Sequence, residues 1–265
     1  MNDHLNYVAF PDCDDNYEPR CPCVLLLDVS GSMRNEGRIH ALNEGIRVFR
    51  DNLICDTLVS TRVEVCVMAF NNKVKLIQDY VTADTFSPPT LVAREKTMMA
   101  DAIYEAIKRL RQRQEFYRQQ GIECFRPWMI MVTDGRPHSG WNSSKMQEVA
   151  DIIAELEENK RLVFQAVGVA EADMSGLQWL SIRKPIMLKG LNFAGLFEWL
   201  SDSLAAQSQS SPSDYYEAVE PSEDVASHDW EPSTHAVSSD DLDSGYDWEH
   251  NYDELDDEGQ VAYDD

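Results

Sequence analysis

Continuous apolar runs alternate along this chain with segments whose apolar positions recur every three or four residues. Cys23 to Asp28 (CVLLLD) is apolar throughout and ends in an acid, which suits a strand buried on both faces of a parallel sheet. After a Ser/Gly loop, Ile39, Leu42, Ile46, Phe49 and Leu53 fall at helical spacing, predicting an amphipathic helix over Gly37 to Leu53. Arg62 to Phe70 alternates, Asn71-Asn72 is a turn dipeptide, and Lys73 to Tyr80 alternates again. Together these predict a hairpin with one antiparallel edge strand. A long helix follows Thr97 (Ile103, Ala106, Ile107, Leu110), and Trp128 to Val132 is a second buried strand running into Thr133-Asp134-Gly135. The alternation continues with a helix through Met146, Val149, Ile152, Ile153 and Leu156, and a strand from Leu162 to Val169. A short helix over Met174 to Ile182, a short strand Ile186 to Leu188 and a last helix Phe193 to Ala206 complete the series. Strands alternating with helices define an α/β fold: a doubly wound, mostly parallel sheet with helices on both faces and one antiparallel edge strand.

This pattern stops abruptly. SQSSPS at 208–213 marks a linker, and beyond it isolated aromatics sit in an acidic, Ser-rich stretch without apolar period. The chain therefore divides into an N-terminal extension (1–19), a folded α/β domain (20–207) and a tail (208–265). Charge sharpens the division. Residues 212–265 hold 19 acids and no Lys or Arg, leaving 28 acids against 23 basic residues in the rest of the chain. The tail cannot bury enough apolar surface to offset chain entropy and is expected to be disordered alone. Asp229-Trp230-Glu231 recurs as Asp247-Trp248-Glu249, which reads either as chance or as a duplicated docking word. The whole tail reads equally as a solvated solubility segment.

A net charge of -24 argues against nucleic acid as a partner, since such affinity comes from cations displacing counterions at phosphates. No stretch approaches the roughly 18 consecutive apolar residues of a membrane span, and the N-terminus lacks a basic start and apolar core. The chain reads as soluble and cytoplasmic. Six cysteines, at 13, 21, 23, 55, 66 and 124, read as reduced thiols. Cys13, Cys21 and Cys23 offer zinc three ligands without a fourth or the usual paired spacing.

In a doubly wound sheet, ligands bind at the carboxyl ends of the strands. Three segments bring oxygen there: Asp28-Val29-Ser30-Gly31-Ser32, Thr97 at a helix start, and Asp134 after a core strand. Taken singly, Ser30 and Ser32 are turn residues, Thr97 is a helix cap, and Asp134-Gly135 is a turn. As a set, two carboxylates and three hydroxyls without His or Cys suit a hard cation such as Mg2+, and equally Ca2+ or Mn2+. His40 and His138 read as solvated.

The ordered set Asp28, Ser30, Ser32, Thr97, Asp134 resembles the von Willebrand factor A (VWA) domain with its metal-ion-dependent adhesion site. That family carries Asp-x-Ser-x-Ser, a distant Thr and a distant Asp. The resemblance spans roughly residues 20 to 206. Within that superfamily, YRQQGIECFRPWMIMVTDG at 117–135 and FEWLS at 197–201 look like the bacterial tellurium-resistance-associated VWA proteins. The resemblance implies an interaction module rather than an enzyme. In it, Ser30 and Ser32 bind Mg2+ directly, Thr97 and the acids bind directly or through water, and a partner protein supplies an Asp or Glu. It also implies a stress-response setting with a protein kinase or PP2C-type phosphatase among the partners. Where the family often has glycines before the threonine, this chain has Glu95-Lys96, whose charges favour and oppose a cation respectively.

Two other function classes stand beside this one. The acidic tail could make the protein an adaptor or inhibitor of a basic partner. An acid ending the first strand also suggests an Mg2+-dependent phosphohydrolase, but such enzymes need a second acid two residues on, where this chain has Ser30. The chain also lacks a phosphate-cradling Gly-rich loop with Lys-Ser/Thr and a serine, base and orienter set.

Overall fold

The computed structural model describes residues 17–94, 98–214, 216 and 220–227. Thirteen elements follow in chain order, six of them strands. They are β1 (Cys21–Asp28), a 3-10 segment (Gly31–Gly37), α1 (Arg38–Leu53), α2 (Thr57–Arg62), β2 (Val63–Phe70), β3 (Val74–Thr82) and α3 (Met99–Gln120). The second half comprises β4 (Trp128–Thr133), α4 (Ser144–Glu158), β5 (Val163–Val169), α5 (Met174–Leu180), β6 (Ile186–Leu188) and α6 (Phe193–Ser208). The sheet runs β3-β2-β1-β4-β5-β6, with every neighbouring pair parallel except β2 and β3. The doubly wound sheet with an antiparallel edge strand is thus what forms.

Period-two alternation in β1 sorts its side chains between two cores. Cys23, Leu25 and Leu27 face α1 and α6, where they join Leu42, Ile46, Phe197 and Leu200. Val24 and Leu26 face α3, α4 and α5, where they join Ile103, Ile107, Ile153 and Leu177. Burial on both faces explains why the strand is apolar without a break. Helices α1 and α6 cross closely at Gly45. A Cβ there would lie 2.7 Å from Phe197 Cδ2 and 2.8 Å from Phe193 Cβ.

Three features depart from the sequence reading. Helix α2 forms where only a strand start at Arg62 is legible. Its six residues, TLVSTR, are mostly β-branched or hydroxylic, and Asp56 holds its first turn by accepting from Leu58 N (2.8 Å) and Val59 N (3.1 Å). Residues 220–227, acidic by composition, lie along the far edge of the sheet. There Ala226 bridges Leu188 antiparallel, Lys189 N donates to Val225 O (2.9 Å), and Ser227 N donates to Met187 O (2.8 Å). Two small apolar residues, Val225 and Ala226, are buried by this pairing. The third departure is a buried polar cluster at the opposite end of β1 and β2 from Asp28. Glu64, read as the polar face of an alternating strand, is bound by Arg20 (3.0 Å), by Arg113 (2.8 Å) and by the Tyr117 hydroxyl. All four side chains are buried.

Of the cysteines, Cys21, Cys23 and Cys66 are buried and Cys55 is exposed. Burial pushes the thiols of Cys21, Cys23 and Cys66 well up, and that of Cys124 to about 12. Raised thiols disfavour the thiolate that zinc requires. Cys13, both Asp-Trp-Glu repeats and the tail beyond Ser227 lie outside the described residues.

Candidate metal centre

The chain leaves β1 toward β2 on one side and later returns to β4 on the other, so the order of the sheet reverses between β1 and β4. That reversal opens a crevice at the strands' carboxyl ends. Register places both acids at its mouth: Leu27 pairs with Val132, and Asp28 and Thr133 are each the next residue. Asp28 is fully buried. Its Oδ1 accepts from Ser30 N (2.8 Å) and its Oδ2 from the Thr133 hydroxyl (2.7 Å). Thr133 Oγ1 in turn accepts from Gly135 N at 3.2 Å.

From Ser30 the donors run in contact. Ser30 Oγ lies 3.0 Å from Ser32 Oγ, and Ser32 Oγ donates to Asp134 Oδ1 at 2.6 Å. Thr97 and the preceding Glu95-Lys96 lie outside the described residues. Both flanks of that segment are anchored at the same rim, Arg94 N to Val29 O (2.7 Å) and Met98 N to Asn71 O (2.7 Å). Four of the five predicted residues are therefore brought together. His40 and His138 are exposed, as their positions suggested.

Arg38 is the site residue that sequence reasoning missed. It is 4 % exposed, and its Nη1 donates to Asp134 Oδ2 at 2.9 Å. Its Nη2 donates to Glu171 at 2.9 Å and lies 3.5 Å from Glu36. A left-handed pair, Glu36 (φ 51°) and Gly37 (φ 76°), turns the chain so that α1 begins with this side chain pointing inward. An L side chain other than Asn or Asp rarely adopts that conformation, which makes Gly37 informative in retrospect.

The two acids are treated differently by their surroundings. Burial pushes the Asp28 carboxyl from its ordinary 3.8 up to about 6, against the pull of the Thr133 and Ser30 hydrogen bonds and with help from the Asp134 charge. Burial also disfavours the Arg38 charge, yet Asp134 and Glu171 hold its pKa above the ordinary value. Among the described residues, no three His, Cys, Asp or Glu side chains converge. A cation at this rim would therefore rest on hydroxyls together with the two acids. The donors suit that role: oxygens 2.6 and 3.0 Å apart match the roughly 3 Å between adjacent ligands of an octahedral ion with Mg–O distances of about 2.0–2.1 Å.

A doubly wound sheet with this cluster of hydroxyls and carboxylates at its reversal point defines a class of ligand-binding α/β domain. The particular family follows from the sequence profile of the von Willebrand factor type A domain, which matches residues 23–187; the chain belongs to that family. Solved structures agree on the fold. The pilus adhesin SpaC from Lactobacillus rhamnosus GG, in its open conformation, superposes with a TM-score of 0.55 at 14% identity, covering 70% of this chain and 30% of the adhesin. Proximal thread matrix protein 1 from the mussel byssus superposes with a TM-score of 0.50 at 14% identity, covering 71% of this chain and 48% of that protein. This chain thus spans about half of the mussel protein and less than a third of the adhesin. A comparison with curated protein sequences finds no match. Among the described residues no helix is long and apolar enough to cross a membrane.

Proposed function

We propose that this domain is a metal-dependent protein-binding module in which Asp28, Ser30, Ser32, Thr97 and Asp134 hold a divalent ion. Mg2+ is the ion expected in the cell, and Mn2+ or Ca2+ would also suit the oxygen donors. The observation that carries this reading is the unbroken contact of Ser30, Ser32 and Asp134, at 3.0 and 2.6 Å. When bound, the ion supplies an electron-poor centre that attracts an Asp or Glu side chain of a partner protein. The chain's own residues set that centre. Ser30 and Ser32 present neutral oxygens, Asp28 is fixed beneath them by Ser30 N and Thr133, and Asp134 is shared between Ser32 and Arg38.

Asp28 supports binding over phosphoryl transfer. Both of its oxygens are engaged, it is fully buried, and the residue two positions on is a serine, so an exposed nucleophile and its general acid are both missing. The likeness of residues 117–135 and 197–201 to tellurium-resistance-associated proteins supports a cytoplasmic stress-response setting, with a kinase or PP2C-type phosphatase as the acidic partner. Calorimetric titration with Mg2+ tests the reading. One ion should bind the wild type, and binding should be lost in Ser32→Ala and Asp134→Ala. Mg2+ binding that survives both substitutions, or partner capture that survives EDTA, would overturn it.

A further inference from the structure

Asp134 directs its two oxygens to opposite neighbours. Oδ1 accepts from Ser32 at 2.6 Å, whereas Oδ2 accepts from Arg38 at 2.9 Å. The Arg38 guanidinium is 4 % exposed, and its second arm is fixed by Glu171 at 2.9 Å. Glu171 and Glu36 are 78% and 73% exposed, so solvent screens their charges from the site. Among the described residues, three charges remain inside the crevice: Asp28, Asp134 and Arg38.

We propose that Arg38 is a built-in counter-cation of the metal centre. By neutralising Asp134, it weakens the hold on the divalent ion and leaves the loaded centre one positive charge in excess, which a partner's carboxylate balances. Without Arg38, Asp28 and Asp134 would together neutralise a divalent ion and leave little pull on a third acid. With Arg38 the centre must draw its last negative charge from outside. A fixed guanidinium sharing one carboxyl with the ion also repels it directly. This inference rests on the metal reading above and assigns a positioning and specificity role to a residue outside the adhesion motif.

The test uses the full chain, with Mn2+ as the probe ion followed by water-proton relaxation and acetate as the probe carboxylate. Arg38→Gln should bind Mn2+ tenfold or more tighter and acetate tenfold or more weaker than wild type, on the order set by one unit charge at short range. Arg38→Lys, which keeps the charge but loses the fork that joins Asp134 and Glu171, should fall between wild type and Arg38→Gln on both measurements. Should Arg38→Gln unfold in EDTA, it can be prepared in saturating Mn2+ and its affinity read by chelator competition. Failure to fold there too counts against the proposal, since the ion should replace the lost charge. Unchanged or weaker Mn2+ binding in Arg38→Gln, or unchanged acetate binding, would overturn the role of Arg38 and leave the metal reading intact. A wild type that binds no Mn2+ would overturn both.

Discussion

Replacing Asp28 with asparagine removes a buried charge while keeping most of the side chain's shape. The amide oxygen can still accept from Ser30 N, and the amide nitrogen can donate to Thr133 Oγ1, whose hydroxyl is free to rotate. The pKa displacement sets the magnitude. Asp28 is raised from 3.8 to about 6 in the folded, metal-free chain, so the stability attached to its protonated form is complete below about pH 4 and is lost as pH rises through about 6. Above that, charging the buried carboxyl costs roughly 3 kcal/mol, and at pH 5 about half of that. Asparagine gives back part of this gain by turning two charge-assisted hydrogen bonds into neutral ones, leaving about 1–3 kcal/mol. For a domain of this size that corresponds to roughly 2–10 °C in Tm. Thermal melts in EDTA at about pH 8 should show Asp28→Asn melting above wild type, with the gap narrowing toward pH 5. Excess Mg2+ should raise the wild type alone. A variant that is folded by circular dichroism yet melts at or below wild type in EDTA at pH 8 would refute the assignment of Asp28 as an uncompensated buried charge.

Two further predictions concern the frame that carries the site. Glu64→Gln removes the charge shared by Arg20 and Arg113 and should cost about 3–5 kcal/mol, read as a lowered urea midpoint with little change in slope. Gly45→Ala forces a methyl to within 2.8 Å of Phe193 Cβ, on a helix whose backbone must then shift. It should cost about 1–3 kcal/mol despite alanine's better helix propensity, and a stabilised variant in urea would show that α1 and α6 are not held at this spacing.

How much of the site was legible follows from how local each signal is. Asp28, Ser30 and Ser32 sit in one loop at the end of an unbroken apolar run, so the run itself indicates where they emerge. Asp134 is legible for the same reason, one residue past β4. Arg38 carries no such mark: at the start of an amphipathic helix a cation reads as solvated, and only the turn at Glu36-Gly37 buries it. Glu64 misleads in the same way. Alternation in β2 places it on a polar face, but Arg113 and Tyr117, spaced four apart on α3, cover that face. Val225 and Ala226 are two apolar residues in an acidic stretch, too few to give a period, and their burial depends on an edge strand about 38 residues earlier. Non-local pairing of this kind leaves no pattern in a window of neighbouring residues.

The crevice between β1 and β4 answers two buried acids in two ways, and the difference separates two jobs. Among the described residues, Asp28 faces hydrogen-bond donors and a second acid but no cation, so its charge is the one that a bound metal would relieve. Asp134 already has Arg38, so a metal adds little to its stability and competes with an existing partner. Metal-linked stability should therefore be controlled at Asp28, and preference for an acidic ligand at the Asp134–Arg38 pair. The two substitutions should dissociate accordingly. Asp28→Asn removes the Mg2+-dependent rise in Tm, whereas Arg38→Gln keeps or enlarges it while losing the carboxylate. If both variants lost metal-linked stability together, the two acids would be acting as one unit, and Arg38 would be only part of the wall.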